Sequence, residues 1–331
     1  MKRISLSNTA FEGNNNVYLF DEGSKTVLVD TGDHSEETKQ QLLAALATHD
    51  LGFADIDQII LTHWHHDHVG LAGYIQQASG APIHVHEADA ALVRRDKPTW
   101  MKLWEDMEAY YDEWGIPQEK QDALGEAIIR ERAFDTPLEV RGFADGDQFT
   151  INDTTLRAVH VSGHAEGLCV FEIHDETDSR EILSSDALLP EYTPNVGGAD
   201  LRVDRPLQRY LEALQHIIDA GYTKAWPGHR DPIDDPAGRA QYIIHHHEQR
   251  AWRVLDALQR LGPSDVWTVS ADLFGTLDGI HILHGPGEAY AHLTHLVEAG
   301  DVLHEESVYR ISPETLHTLE QRDSTSWNLS R

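Results

Sequence analysis

Thr62-His63-Trp64-His65-His66-Asp67-His68-Val69-Gly70 places His63, His65, Asp67 and His68 within six positions, directly after the apolar run Ile59-Ile60-Leu61. Neutral imidazoles and an ionised carboxylate are the donors that bind zinc and related divalent ions. Four such donors on one short turn cannot all aim at a single tetrahedral ion, so the stretch reads as part of a site for two adjacent metals. The run Asp57 to Leu61 is predicted to be a buried strand. The donors therefore emerge where a strand ends and a loop begins, where irregular backbone can aim each side chain differently. A compositional His tract on the surface is the alternative, but such tracts lack this ordered spacing and this strand context.

Two metals need more donors than the turn supplies, and three further strand ends offer them. The run Thr155 to Val161 is closed by Ser162-Gly163-His164, Glu181 to Ser185 by Asp186, and Lys224 to Trp226 by Pro227-Gly228-His229. Each repeats one pattern: an apolar strand, a small residue that lets the backbone come close, then one donor. Any one of these histidines alone would be an ordinary turn residue. It is their order beside the 62–70 cluster that carries weight.

This set resembles the metallo-β-lactamase superfamily, whose His-x-His-x-Asp-His motif and later His, Asp and His ligands are all matched across residues 15 to 230. The resemblance implies that His63, His65 and His164 hold one metal, that Asp67, His68 and His229 hold the second, and that Asp186 bridges them. It also implies an αββα sandwich of two mixed sheets flanked by helices. Asp30-Thr31-Gly32, at the end of strand Thr26 to Val29, resembles the superfamily's early Asp-Thr-Gly signature, although a plain strand-to-helix turn reads equally well. Val161-Ser162-Gly163-His164 and Ser184-Ser185-Asp186 stand where the family often has Thr-Pro-Gly-His and Gly-Asp. Those departures touch the supports and spare the ligands.

The implied chemistry is hydrolysis by a metal-bridging hydroxide, with Asp67 as the residue that orients it and two divalent ions, zinc or else manganese or iron, as cofactors. Nothing in the chain forms a Ser-His-Asp or Gly-x-Ser-x-Gly alternative. The second histidine, His65, separates the chain from the diiron flavoprotein branch, where a carboxylate stands there. The substrate expectation is a small-molecule ester or thioester, as in the hydroxyacylglutathione hydrolase (glyoxalase II) branch. An endoribonuclease is the competing reading, and a non-enzymatic regulator with a sensor domain is a third that two metals would not serve.

Composition narrows the setting. The chain of 331 residues carries 56 acidic against 26 basic residues, only seven of them lysine, for a formal charge of −30. Such a surface repels polyanions, because nucleic-acid affinity rests on Lys and Arg neutralising phosphates. The same acidic, lysine-poor balance resembles proteins of salt-loving archaea, an ordinary acidic bacterial protein being the alternative. Cys169 is the lone cysteine and lies in the apolar run Leu168 to Ile173, so it reads as a buried, inert thiol. No apolar signal core opens the sequence, and no stretch approaches the ~20 apolar residues that span a bilayer. A cytoplasmic protein acting on a small molecule, without a membrane partner, is the expectation.

The chain divides into a catalytic domain over 1–236, a winged-helix-like domain over 237–316 and a polar tail over 317–331. Within the first, strands and helices alternate as in a layered α/β core, with a helix opening at Ser35. Residues 88–133 interrupt the alternation with a polar helical insertion bearing Trp100, Trp104, Tyr110, Tyr111 and Trp114. It reads as a helical hairpin packing its own aromatics or as a homodimer contact, and its position also suits a lid over the site. Past Pro236, helices are predicted over 238–261, Val269 to Phe274 and Gly287 to Glu298, followed by a hairpin over Asp301 to Ile311. That order resembles the winged helix appended to one superfamily branch, which contains endoribonucleases. Residues 237–331 nevertheless carry seven Arg, no Lys and thirteen Asp plus Glu, a net of 7 − 13 = −6, so packing or dimerisation suits the module better than nucleic acid.

Overall fold

Val17 and Leu19 point to one side of their strand and Tyr18 and Phe20 to the other, and this period-2 alternation organises the catalytic part of the chain. The computed structural model describes residues 1–8, 13–130, 137–176, 179–321 and 325–330. Contacts divide the chain into two compact units: residues 1–100, 135–194 and 212–240 form the first, and 101–134, 195–211 and 241–331 the second.

In the first unit the described residues build two mixed sheets. One runs in the order β1 (Lys2–Leu6), β2 (Asn15–Phe20), β3 (Val27–Val29), β4 (Gln58–Ile60), β5 (Ile83–His86) and β6 (Val140–Phe143). Its first three strands pair antiparallel and the last four parallel. The other runs β11 (Lys224–Pro227), β10 (Glu181–Ser185), β9 (Cys169–His174), β8 (Thr154–His160) and β7 (Gln148–Ile151). Only β10 and β11 pair parallel there. Tyr18, Phe20, Val27, Val29, Ile60 and Phe143 face Ile151, Leu156, Ala158, Cys169, Phe171 and Leu183 across the sandwich.

The opposite face of the first sheet, with Val17, Leu19, Leu28, Ile59 and Ile83, is covered by Leu42 and Leu46 of α1 (Glu36–Ala47), Ile75 of α3 (Ala72–Ser79) and Ala90 and Val93 of α4 (Glu87–Val93). Between α1 and α3 lies the one-turn helix α2 (His66–Val69). Ser35 caps α1 by accepting from the Thr38 amide, with Glu36 and Glu37 in the first turn as its sequence implies. Cys169 is buried between the sheets, and burial pushes its thiol far up, which suits the inert role.

The second unit contains α5 (Lys97–Glu113) beyond its first turn and α6 (Gln118–Arg130). Helix α7 (Pro206–Ala220) lies between β10 and β11 in the chain. The unit continues with α8 (Pro236–Leu261) from Gln241 on, α9 (Val266–Phe274), α10 (His281–Glu298), the hairpin β12 (Val302–Glu305) and β13 (Val308–Ile311), and α11 (Pro313–Gln321). The three helices and hairpin occur in the expected order, but the units do not follow a single cut at residue 236. From residue 101 on the insertion groups with the C-terminal helices, because Trp114, fully buried, packs its ring against Tyr110 and Tyr290 and its carbonyl accepts from the Trp267 amide, whereas the insertion's first residues, in α4, pack on the first sheet. The last residues of the insertion, 131–133, lie outside the described residues.

Two boundaries differ from expectation for physical reasons. Helix α10 starts at His281, six residues before the expected Gly287, and carries Pro286 inside it. The stretch expected to be a polar tail holds Trp327, which is 2% exposed and donates its indole N–H to Asp301 at 2.7 Å. Among the described residues, no helix is long and apolar enough to cross a membrane.

Candidate metal centre

Four strand ends of the first unit deliver the seven donors. β4 leads through Leu61 into the 62–70 turn, β8 into His164, β10 into Asp186 and β11 into His229. The backbone is bent where each donor must be aimed. Gly163 lies at φ +143, and Ser185, just before Asp186, takes φ +45, a conformation costly for a residue with a Cβ. At Gly228 the reason for glycine is contact: a Cβ there would sit 2.2 Å from Asp186 Oδ1 and 2.8 Å from His68 Cε1.

The donors converge in three overlapping sets: His63, His65 and His164; His63, His68 and Asp186; and Asp67, His68 and His229. His65 Nδ1 lies 2.9 Å from His63 Nε2 and 3.0 Å from His164 Nε2. Asp186 Oδ2 sits 3.5 Å from His68 Nε2, 3.6 Å from His164 Nε2 and 3.4 Å from His229 Nε2. Asp67 Oδ2 is 3.4 Å from His229 Nε2. All seven expected residues are therefore brought together, and only His65 is more than marginally accessible.

Protons on the outer nitrogens leave lone pairs facing inward. His68 Nδ1 donates to Asp30 Oδ2 at 2.8 Å, and His229 Nδ1 donates to the Gly13 carbonyl at 3.2 Å. Thr62 Oγ1 donates to Asp30 at 2.9 Å and so is free to accept from His63 Nδ1 at 3.0 Å and from Ser185 Oγ at 2.8 Å. Such outer partners fix the ring tautomer of a ligating histidine. Inside the cluster His68 Nε2, His229 Nε2 and Asp186 Oδ1 are buried without a hydrogen-bond partner among the described residues. Buried polar atoms are rarely left so. A divalent cation fits this donor set.

The electrostatics agree. Burial opposes the charged form of Asp186, but His229 and His68 beside it hold its carboxyl well below the ordinary range. Burial likewise opposes charge on His229, yet Asp186 and then Asp67 push it up to about 9, and His68 is raised by Asp186, Asp30 and Asp67 against the same penalty. His63 goes the other way, kept neutral by burial and by the neighbouring His68 and His65. The centre thus draws positive charge onto its second half, where a metal ion would replace protons.

Several supporting residues carry no signal in a single sequence. Asn15 Nδ2 donates to the Asp67 carbonyl at 3.0 Å and to its Oδ2 at 3.2 Å, and Asn8 Nδ2 donates to Asn15 Oδ1 at 2.6 Å. Fully buried Asp89 accepts from the Trp64 amide at 3.0 Å, pinning the backbone between His63 and His65. Asp30, at φ +61, belongs to the centre and is more than a turn residue. Tyr192 is exposed and stacks under the Arg230 guanidinium at 4.6 Å.

Comparison with known proteins gives concordant results. The sequence profile of the Metallo-beta-lactamase superfamily matches residues 10–266. The chain is 28% identical over 243 residues to Beta-lactamase-like protein 2 homolog of Drosophila melanogaster, covering 72% of this chain and 66% of that protein. It is 26% identical to Lactamase-like protein vrtG of Penicillium aethiopicum, covering 73% and 60%. The chain thus spans less than two thirds of the length of these curated relatives. A metallo-beta-lactamase family protein of Thermus thermophilus superposes with a TM-score of 0.79 at 27% identity, over 94% of this chain and 98% of that one.

Proposed function

The chain belongs to the metallo-beta-lactamase superfamily, a group of generally metal-dependent hydrolases, and we propose that it is a dinuclear hydrolase of small-molecule esters or thioesters. The observation that carries the proposal is Asp186 Oδ2, placed 3.4–3.6 Å from three imidazole nitrogens contributed by three different loops. In this reading His63, His65 and His164 hold one ion, Asp67, His68 and His229 the other, and Asp186 touches both. Bound divalent ions would make hydroxide available near neutral pH and stabilise the charge that develops on the substrate oxygen.

The chain's own residues do the rest. Asp67, its carboxylate held by Asn15, orients the attacking water. Asp30 keeps His68 in the tautomer that binds through Nε2. A thiolate or alkoxide of low basicity leaves without a protein acid, which favours thioesters and activated esters. The formal charge of −30 disfavours polyanionic substrates.

An endoribonuclease reading retains one support, the three helices followed by a hairpin in the second unit. Against it, α10, which would be the recognition helix, buries Ile282, Leu283, Ala289, Leu293 and Leu296 and bears no Arg or Lys. The deciding experiment offers the zinc-loaded protein thioesters, esters, lactones, phosphodiesters and single-stranded RNA. Chelator-sensitive turnover of a thioester or ester supports the proposal. RNA cleavage with neither of those activities overturns it in favour of the second reading.

A further inference from the structure

A second cluster of metal donors lies in the other unit. Glu288 and His292 stand four residues apart on α10 and so share a helix face. Opposite them, His247 comes from α8, at the end of the His245-His246-His247 run. His247 and His292 are fully buried and Glu288 is 6% exposed. His247 Nδ1 lies 3.2 Å from His292 Nε2 and 3.9 Å from Glu288 Oε1, and the three donor atoms all fall within 4.8 Å of one another. Donors about 2.0–2.1 Å from a tetrahedral ion stand roughly 3.3–3.4 Å apart, which the His247–His292 separation matches, while Glu288 Oε1 lies somewhat farther out at 3.9 Å from His247.

The donor chemistry is what a core hydrogen bond alone does not explain. His292 Nδ1 donates to the Glu288 carbonyl at 2.8 Å, so its Nε2 presents a lone pair to the cluster. Glu288 Oε1 faces the same point and has no hydrogen-bond partner among the described residues, although the Arg250 guanidinium stands 3.2 Å away in an ion pair. Its other oxygen accepts from Asn195 Nδ2 and the Val196 amide. A single proton on His247 Nδ1 can serve one of the two inward acceptors, whereas a divalent ion serves both and takes the third lone pair as well. Burial and the neighbouring His292 hold His247 neutral, as a ligand must be.

We propose that His247, Glu288 and His292 form a structural divalent-metal site, of zinc type, that clips α8 to α10 within the second unit and is independent of the seven-residue centre. Two nitrogens and one carboxylate oxygen suit zinc, and a metal between facing helices of a bundle is a common way to fix their packing. Arg250 balances the Glu288 charge when no ion is bound, and it competes with the ion when one is.

The test uses the full chain, stripped of metal and equilibrated with cobalt(II), with bound metal counted by elemental analysis and folding checked by circular dichroism. His247→Gln and His292→Gln should each bind one cobalt fewer than the parent. Arg250→Met, which keeps an apolar stem over Phe274, should keep the parent's count and bind that ion about tenfold more tightly or better, because a unit charge a few ångströms away is removed. The same count in folded glutamine variants as in the parent would overturn the proposal. If those variants fail to fold, Arg250→Met decides alone, since unchanged cobalt affinity there leaves only a buried hydrogen-bonded pair.

Discussion

His68 donates its Nδ1–H to Asp30 Oδ2 at 2.8 Å, and both side chains are buried, so the residue that closes β3 sets the orientation of a histidine 38 positions later. Asp30 also accepts from the Thr62 amide and hydroxyl, tying the start of the ligand turn to the same carboxylate. Replacing it by alanine frees His68 to rotate and leaves Thr62 without its acceptor. We expect Asp30→Ala to weaken metal binding and lower kcat by about 10–100-fold, the usual cost of losing an outer partner of a metal ligand, with little change in KM. Metal affinity and steady-state kinetics check this; a variant with parental affinity and turnover contradicts it.

Asp186 and His229 differ in what their loss removes. Asp186→Ala takes away the oxygen that faces His68, His164 and His229, whereas His229→Ala removes one donor from one side. The first should therefore cost more activity, beyond the roughly 100-fold of an outer-shell loss. Parallel kinetics on the two variants test the ordering, and a more active Asp186→Ala reverses the assignment of the shared ligand.

The ligands were legible because each one ends an apolar strand beside a small residue, a pattern written in local sequence. What fixes them was not. Asn15 lies inside a strand and Asp89 inside a helix, and nothing local says that their side chains reach Asp67 or the Trp64 amide. β2 is apolar on both faces, so which face meets helices and which a second sheet depends on long-range pairing, and the two sheets entered only through family resemblance. Pro286 hid the first turn of α10, because proline argues for a helix boundary and here sits within the helix. The division into units eluded composition because it rests on ring contacts such as Trp114 with Tyr290, far apart in the chain. His247 is buried against two further donors that its own neighbourhood in sequence does not disclose.

His86 gives a pH signature away from the centre. Its ring stacks on His160 at 4.1 Å and its Nδ1 accepts from the Ala88 amide at the start of α4. Burial first, then His160, lower its pKa to about 4, with Asp145 opposing. An unfolded histidine titrates near 6.5, so between about 6.5 and 4 the unfolded chain binds more protons and stability falls as pH falls. The contribution is intact above that window and lost through it. His86→Asn, which keeps a capping acceptor, should flatten the acid side of the Tm profile between those values. An unchanged slope would sink the assignment.

The charge of −30 has a consequence for salt. At ~0.15 M the Debye length is already about 8 Å, yet self-repulsion among clustered carboxylates persists at shorter range. If the acidic surface is an adaptation to salt, Tm and activity should keep rising with KCl well beyond that concentration. Thermal melts across a KCl series decide it, and a maximum at low salt rules the adaptation out.

The most direct test of the dinuclear reading is an anomalous difference map from crystals of the full chain equilibrated with zinc. It should show two peaks in the first unit, one bounded by His63 Nε2, His65 Nδ1 and His164 Nε2 and the other by Asp67, His68 Nε2 and His229 Nε2, with Asp186 Oδ2 reaching both. A single peak among these seven residues, or none, would contradict it.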